Sequence, residues 1–244
     1  MKIRINGWHI LLFVALILSF FPLVWMVSTA LKETDQIFSS FLNPIPMPVT
    51  FEHFQHVMDS APMLRFFFNS FFVAFVVTLF QVLTSILAAY ALTQFKFWGR
   101  DVLFYLIIAS MLIPVLVTML PNYILLSKWG LLDTYSAIIL PQLANGMGVF
   151  FLRQSFRTIP KALLESAQVE GANDWQRLWL IVVPAVRPMI VAIGIIFFIN
   201  VWNEYFWPLI VINDENTLAS IPPVIAFLAV QKHIISSFLS TGVM

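Results

Sequence analysis

Residues 158–184 read T-I-P-K-A-L-L-E-S-A-Q-V-E-G-A-N-D-W-Q-R-L-W-L-I-V-V-P and interrupt a very apolar chain with charge. Thr158 suits an N-cap, with Pro160 just inside the helix start, and Gly171 suits a left-handed stop. Together they predict one helix of about three turns. Asn173 or Asp174 then suits the cap of a second helix carrying Trp175, Leu178 and Trp179 at i, i+3 and i+4, and Pro184 opens a long apolar run. The expected product is a helix-Gly-helix elbow at a membrane surface. Amphipathicity alone would also be met by an ordinary loop helix lying on the bilayer.

The rest of the chain sets the medium. It is 60% hydrophobic and 10% charged, with 25 Phe, against roughly 25% charged residues in a soluble domain. This is the composition of an integral membrane protein. A net charge of +1 gives no reason to expect nucleic acid as a partner. The absence of cysteine excludes a disulfide framework and thiolate metal sites. His53 and His56 have metal-ligand spacing but sit in a polar loop, so no metal site is expected.

Taken in order, an apolar run at 8–31 is long enough to span roughly 30 Å of hydrocarbon. A cleaved signal peptide would have a shorter apolar core, so this run reads as span 1. Residues 32–65 are polar and carry Pro44, Pro46, Pro48 and Pro62, predicting an external loop with one short surface helix at F-E-H-F-Q-H-V. Span 2 covers 66–93 and F-K-F-W-G-R makes a tight connection to span 3 at 101–120, which Pro114 and Pro121 should kink or end. Residues 123–133 form a second external connection. Span 4 covers 134–156, with Pro141 and the G-M-G of Gly146 and Gly148, and span 5 covers 184–212. The last apolar run, 218–230, is shorter than the roughly 17 to 25 residues of a full span.

Basic residues orient the bundle. With six spans and both termini in the cytoplasm, ten Lys and Arg fall inside and only Lys32, Arg65 and Lys128 outside. This puts the elbow in the cytoplasm. No G-x-x-x-x-G-K-[ST] phosphate loop occurs, so energy for any active transport has to come from another subunit.

Polar groups inside a membrane each need a reason. Asn200, Asn203, Glu204 and Trp207 recur at i, i+3, i+4 and i+7 in span 5, predicting one face. Thr78, Gln81 and Ser85 do the same in span 2, and Gln142, Asn145 and Gly146 cluster in span 4. Such stripes either line a wet path or hold helices together. Amides, a carboxylate and Trp suit a sugar's hydroxyls and ring faces.

Two motifs carry a resemblance to a known family. Glu165, Ala167, Gly171, Ile181 and Pro184 match the E-A-A, three residues, G, nine residues, I-x-L-P signature of importer-type ABC transporter permeases; Ser166 stands for the middle Ala and Val183 for the Leu. The segment W-N-E-Y-F-W-P-L at 202–209, with N-S at Asn69 and Ser70 and I-P-P-V at 221–224, resembles carbohydrate-uptake permeases of the maltose type, specifically the MalG-like subunit. The resemblance implies an all-α, six-span type I importer (MetI-like) permease fold, a single transmembrane domain at 1–244 with its coupling elbow at 158–183, and residence in a bacterial cytoplasmic (inner) membrane. It implies a second permease as heterodimer partner, two cytoplasmic ATPase subunits that bind ATP and Mg, and an extracytoplasmic substrate-binding protein. This chain would bind no cofactor and would not itself be an enzyme. Glu165, Ser166, Ala167, Gly171 and Pro184 would couple to the ATPase. Gln81, Gln142, Asn145, Asn200, Asn203, Glu204 and Trp207 are candidates for the translocation path. Only residues 213–217 stand between span 5 and the last apolar run that holds I-P-P-V, where the family usually carries a few dozen more, so span 6 is expected to be shortened. Two other classes compete. One is a proton-coupled secondary transporter using Glu204; the other is an intramembrane enzyme, for which no H-E-x-x-H or G-x-S-x-G pattern is present.

Overall fold

The computed structural model describes residues 7–39, 45–60 and 62–213. It falls into two units, one ending at Met63 and one beginning at Leu64. In the first unit, α1 (Gly7–Ala30) is apolar on all sides and exposed along nearly its whole length, as lipid contact requires. The loop beyond it is more regular than its prolines suggest. It forms α2 (Thr34–Ser39) and α3 (Glu52–Ser60), the latter on the stretch expected to be helical. His53 Nε2 lies 2.8 Å from the Lys32 carbonyl, and no group of three metal-ligating side chains occurs among the described residues.

The second unit is built on α4 (Met63–Gln94). Its buried residues Phe66, Ser70, Val73, Val77, Gln81, Ser85, Ala89 and Leu92 recur every three or four positions, which is one helical stripe. The opposite face carries Phe71, Phe72, Phe75, Leu79 and Leu87, all exposed. Both faces are apolar, so hydrophobicity cannot tell core from lipid here. The difference is in residue size and polarity, with small and hydrogen-bonding side chains turned inward. The first half of the stripe packs with Leu126, Ala137, Ile138, Trp207 and Val211; the second half packs with Leu152, Phe156, Leu178, Val182 and Phe197.

The remaining spans among the described residues are broken. α5 (Arg100–Ser110) and α6 (Val115–Lys128) meet at 98°, because Pro114 has no N–H to offer and forces Ile113 out of helical geometry. The expected kink is therefore present. The helix does not end at Pro121, however, and residues 123–128 are helical where a connection was expected. Leu126 and Tyr123 pack into the core there, which outweighs the one hydrogen bond that Pro121 removes. α7 (Tyr135–Ile139) runs into a 3-10 turn (Leu140–Gln142), and α8 (Gly146–Phe156) follows at 41°.

α9 (Lys161–Val169) leads through Gly171 to α10 (Asp174–Gln176), a π turn (Arg177–Val182) and α11 (Val183–Ala185). α12 (Arg187–Trp202) then departs at 80°. Pro184 therefore lies inside the entering helix, and the long run opens three residues later at Arg187 and Pro188. The wide π turn fits Pro184, whose ring and missing N–H spoil the ordinary ladder one turn back. A further break at Asn203–Tyr205 separates α12 from α13 (Phe206–Val211). Among the described residues, two helices are long and apolar enough to cross a membrane alone, and up to five spans are present if each bent pair counts as one. The expected sixth span lies outside the described residues.

Candidate functional site

The elbow is fastened to the bundle on one side and open on the other. Leu164 and Ala167 of α9 are buried, and Ile159, Leu164, Leu178 and Val182 join one core cluster with Ile86, Ala89 and Tyr90 of α4 and Leu152 and Phe156 of α8. Glu165, Ser166 and Gly171 are exposed, as is Pro184. Val169, one turn beyond Glu165 on the same face, is 89% exposed.

The bend has a specific construction. The Ala172 N–H donates to the Ala167 carbonyl at 2.9 Å and the Gly171 N–H to that of Gln168 at 3.0 Å, closing α9 with a Schellman motif around Gly171 at φ 88°. Asn173 then caps α10 reciprocally. Its side chain accepts from the Gln176 N–H, and the Gln176 side chain accepts from the Asn173 N–H, each at 2.9 Å. Arg177 pairs with Asp174 and donates to Gln168 Oε1 at 3.3 Å, tying both arms of the elbow together. The Gly171 stop and the Asn173 cap agree with the sequence, whereas Thr158 does not cap α9. Its hydroxyl donates to the Ser155 carbonyl at 2.8 Å because the chain is still completing the last turn of α8, and Pro160 occupies the cap position. Trp175 and Trp179 face outward while Leu178 is buried.

A second polar region fills the middle of the bundle. Between the 3-10 turn and α8 the backbone leaves its ladder, and carbonyls that would be costly unpaired in a membrane are met by α4. Gln81, 6% exposed, donates Nε2 to the Gln142 carbonyl at 2.8 Å; Thr84 Oγ1 donates to Leu143 at 3.0 Å; Ser85 Oγ lies 3.5 Å from the Asn145 carbonyl. The side chain of Gln142 donates to Ile138, and that of Asn145 accepts from the Met147 N–H and caps α8. Between the two readings left open by their spacing, the observed contacts of Gln81, Gln142 and Asn145 are those of residues holding a broken helix in place. Gln81→Leu strands the Gln142 carbonyl and is expected to lower stability by about 1–2 kcal/mol, read as a fall in melting temperature of the purified protein in detergent.

Span 5 corrects an expectation. Asn200, Asn203, Glu204 and Trp207 do not share one helical face, because the helix stops after Trp202 and restarts at Phe206. Glu204 is the reason the new helix starts there. Its Oε1 accepts from the N–H groups of Phe206 at 3.0 Å and Trp207 at 3.2 Å, satisfying donors that would otherwise be orphaned. Trp207 turns inward and donates Nε1 to the Ala137 carbonyl at 3.1 Å. Asn200 and Asn203 are exposed, with Asn203 Nδ2 donating to the Ile199 carbonyl at 2.8 Å. Arg177 and Thr84 were not singled out from the sequence. The first was hidden among surface charges, and the second could have been found by extending the stripe of Gln81 and Ser85.

A bundle with bent spans and an outward elbow is the architecture expected of a transport permease. The family described as binding-protein-dependent transport system inner membrane component matches residues 81–242, which include the whole elbow. The chain belongs to that family and is an ABC importer permease. It is similar to the sn-glycerol-3-phosphate transport system permease protein UgpE of Yersinia enterocolitica, 34% identical over 215 residues that cover 85% of this chain and 76% of the relative. The protein of the same description from Escherichia coli is 31% identical over 227 residues, covering 89% and 81%. Among solved structures, a chain of a bacterial ABC transporter involved in the import of the acidic polysaccharide alginate superimposes with a TM-score of 0.74. It is 25% identical and the match covers 86% of this chain and 75% of that one. The resemblance to carbohydrate-uptake permeases is borne out by these matches.

Proposed function

We propose that this chain is one of two different permease subunits of an importer carrying a sugar or sugar derivative into the cytoplasm, driven by two copies of a separate ATPase that hold the ATP and Mg. An extracytoplasmic binding protein delivers the cargo. The single observation that carries the reading is the elbow: an exposed Glu165–Val169 face on a helix whose other face is built into the core of α4, α8 and the π turn, so that force applied outside reaches the spans. Both termini and the elbow lie in the cytoplasm, as the distribution of Lys and Arg supports. A sugar-related cargo is supported by the relatives, whose names concern sn-glycerol-3-phosphate and alginate. Of the candidates for the path, the amides of Asn200 and Asn203 are exposed, which supports a place for them along it.

The reading with Glu204 as a proton carrier finds no support. That carboxylate is engaged as a helix cap. Glu204→Gln keeps an oxygen for the cap but cannot carry a proton. In proteoliposomes holding the assembled transporter it is expected to retain ATP-driven uptake without a proton gradient. Uptake that needs the gradient and is lost in the variant would replace ATP coupling with proton coupling.

A further inference from the structure

A basic cavity opens at the end of the bundle that carries the elbow. It has a volume of about 330 Å³ and lies between the end of α4, the start of α5 and the end of α8. Arg100, Arg153 and Arg157 line it with Asp101 as their one carboxylate, an excess of two positive charges. Asp101 Oδ1 is shared by Arg100 Nε at 3.3 Å and Arg153 Nη2 at 3.4 Å, so neither guanidinium is held by a fork of its own. Arg153 lies over Phe104 with 3.8 Å between its Cζ and the ring centre, and its buried Nε has no hydrogen-bond partner. Arg157 is exposed at the rim. Three like charges are gathered here with donor capacity left over, which favours an incoming anion.

The surroundings say which kind of anion. The adjoining turn between α4 and α5 carries Lys96, and its Trp98 is 100% exposed beside the exposed Phe95 and Phe97. Indole and phenyl rings displayed beside Lys and Arg at the end of a span mark the headgroup level of a bilayer. Tyr105 and Phe104 continue this wall along α5 toward the apolar part of the helix. We infer that the Arg100–Arg153–Arg157 cavity binds the phosphate of an anionic phospholipid in the leaflet that holds the elbow. The site is one turn before α9, since Arg157 stands four residues ahead of Lys161, so an occupying lipid braces α8 against α5 where α9 departs. The inference rests on the chain spanning a membrane and does not depend on its coupling to an ATPase.

The test uses the full chain, with any copurifying subunits, in detergent titrated with phosphatidylglycerol or phosphatidylcholine and read by native mass spectrometry. Preferential retention of phosphatidylglycerol is expected, weakened about fivefold by Arg157→Gln and more by Arg153→Gln with Arg157→Gln, following the usual value of one basic group near an anionic surface. Lys128→Gln, at the far end of α6, should leave the preference unchanged. Arg157→Gln alters an exposed side chain, so its fold is not at risk if the double variant fails. Equal retention of the two lipids, or equal loss in Lys128→Gln, overturns the proposal. Inorganic phosphate offers the same chemistry without a lipid. Saturable phosphate binding that depends on Arg157 while no lipid preference exists would assign the cavity to a soluble anion. Loss of a copurifying ATPase in Arg157→Gln with lipid retention unchanged would assign the arginines to a protein contact instead.

Discussion

Gly148→Leu is expected to yield no stable monodisperse protein in detergent, and Gly148→Ala a folded protein destabilised by about 1–3 kcal/mol. A Cβ on Gly148 would sit 2.2 Å from Ser85 Oγ, 2.8 Å from Phe197 Cζ and 2.9 Å from Ser85 Cβ. Ser85 is 0% exposed and Phe197 is equally enclosed, so neither has somewhere to go. Helix propensity argues the other way, since Ala in a helix is favoured over Gly by about 0.5–1 kcal/mol. The clash wins because α4, α8 and α12 converge at this one residue, and moving any of them disturbs the cluster of Ile86, Leu152 and Phe197. Close approach of backbones through small residues is how helices associate where lipid removes the hydrophobic drive. The check is a double-mutant cycle by thermal melting. Ser85→Gly should recover part of the loss in Gly148→Ala, and strictly additive losses would mean that the two sites do not touch.

The second large effect falls on function while leaving the bundle intact. Gly171→Val is expected to reduce ATP-driven uptake by about tenfold or more, because a left-handed backbone costs an ordinary side chain roughly 1–2 kcal/mol, and a β-branched one more. No atom lies within 4 Å of the position a Cβ would take, so the cost is conformational and not steric. It follows that Gly171→Asn, which tolerates φ near the observed 88°, should keep most of the uptake. A Val variant as active as the parent would show that the bend can be made without its Schellman closure.

The elbow was legible because its parts are local. Gly171 needs only its own φ, Asn173 and Gln176 cap within one turn, and the charges of Lys161, Glu165 and Glu170 stand out in apolar sequence. The breaks in the spans were legible only in part. Pro114 announced its own, whereas the stops at Leu143–Asn145 and Asn203–Tyr205 depend on distant partners. The first is held by Gln81 and Thr84, some sixty residues away, and the second by Trp207 reaching Ala137. Reading Asn200 to Trp207 as one face assumed an unbroken helix. Glu204 looked like a buried charge in need of a function, and its function in the fold is to begin α13. Thr158 failed as a cap for a related reason, since the preceding helix claims its hydroxyl.

The central claim, that the open face of α9 meets a motor protein in the cytoplasm, can be tested at one atom. The chain has no cysteine, so Val169→Cys introduces a single thiol on a side chain that is 89% exposed and one turn from Glu165. In the assembled transporter this thiol should cross-link to the ATPase subunit and resist a membrane-impermeant maleimide added to intact cells. Labelling from outside, with no adduct to any nucleotide-hydrolysing subunit, would contradict the account.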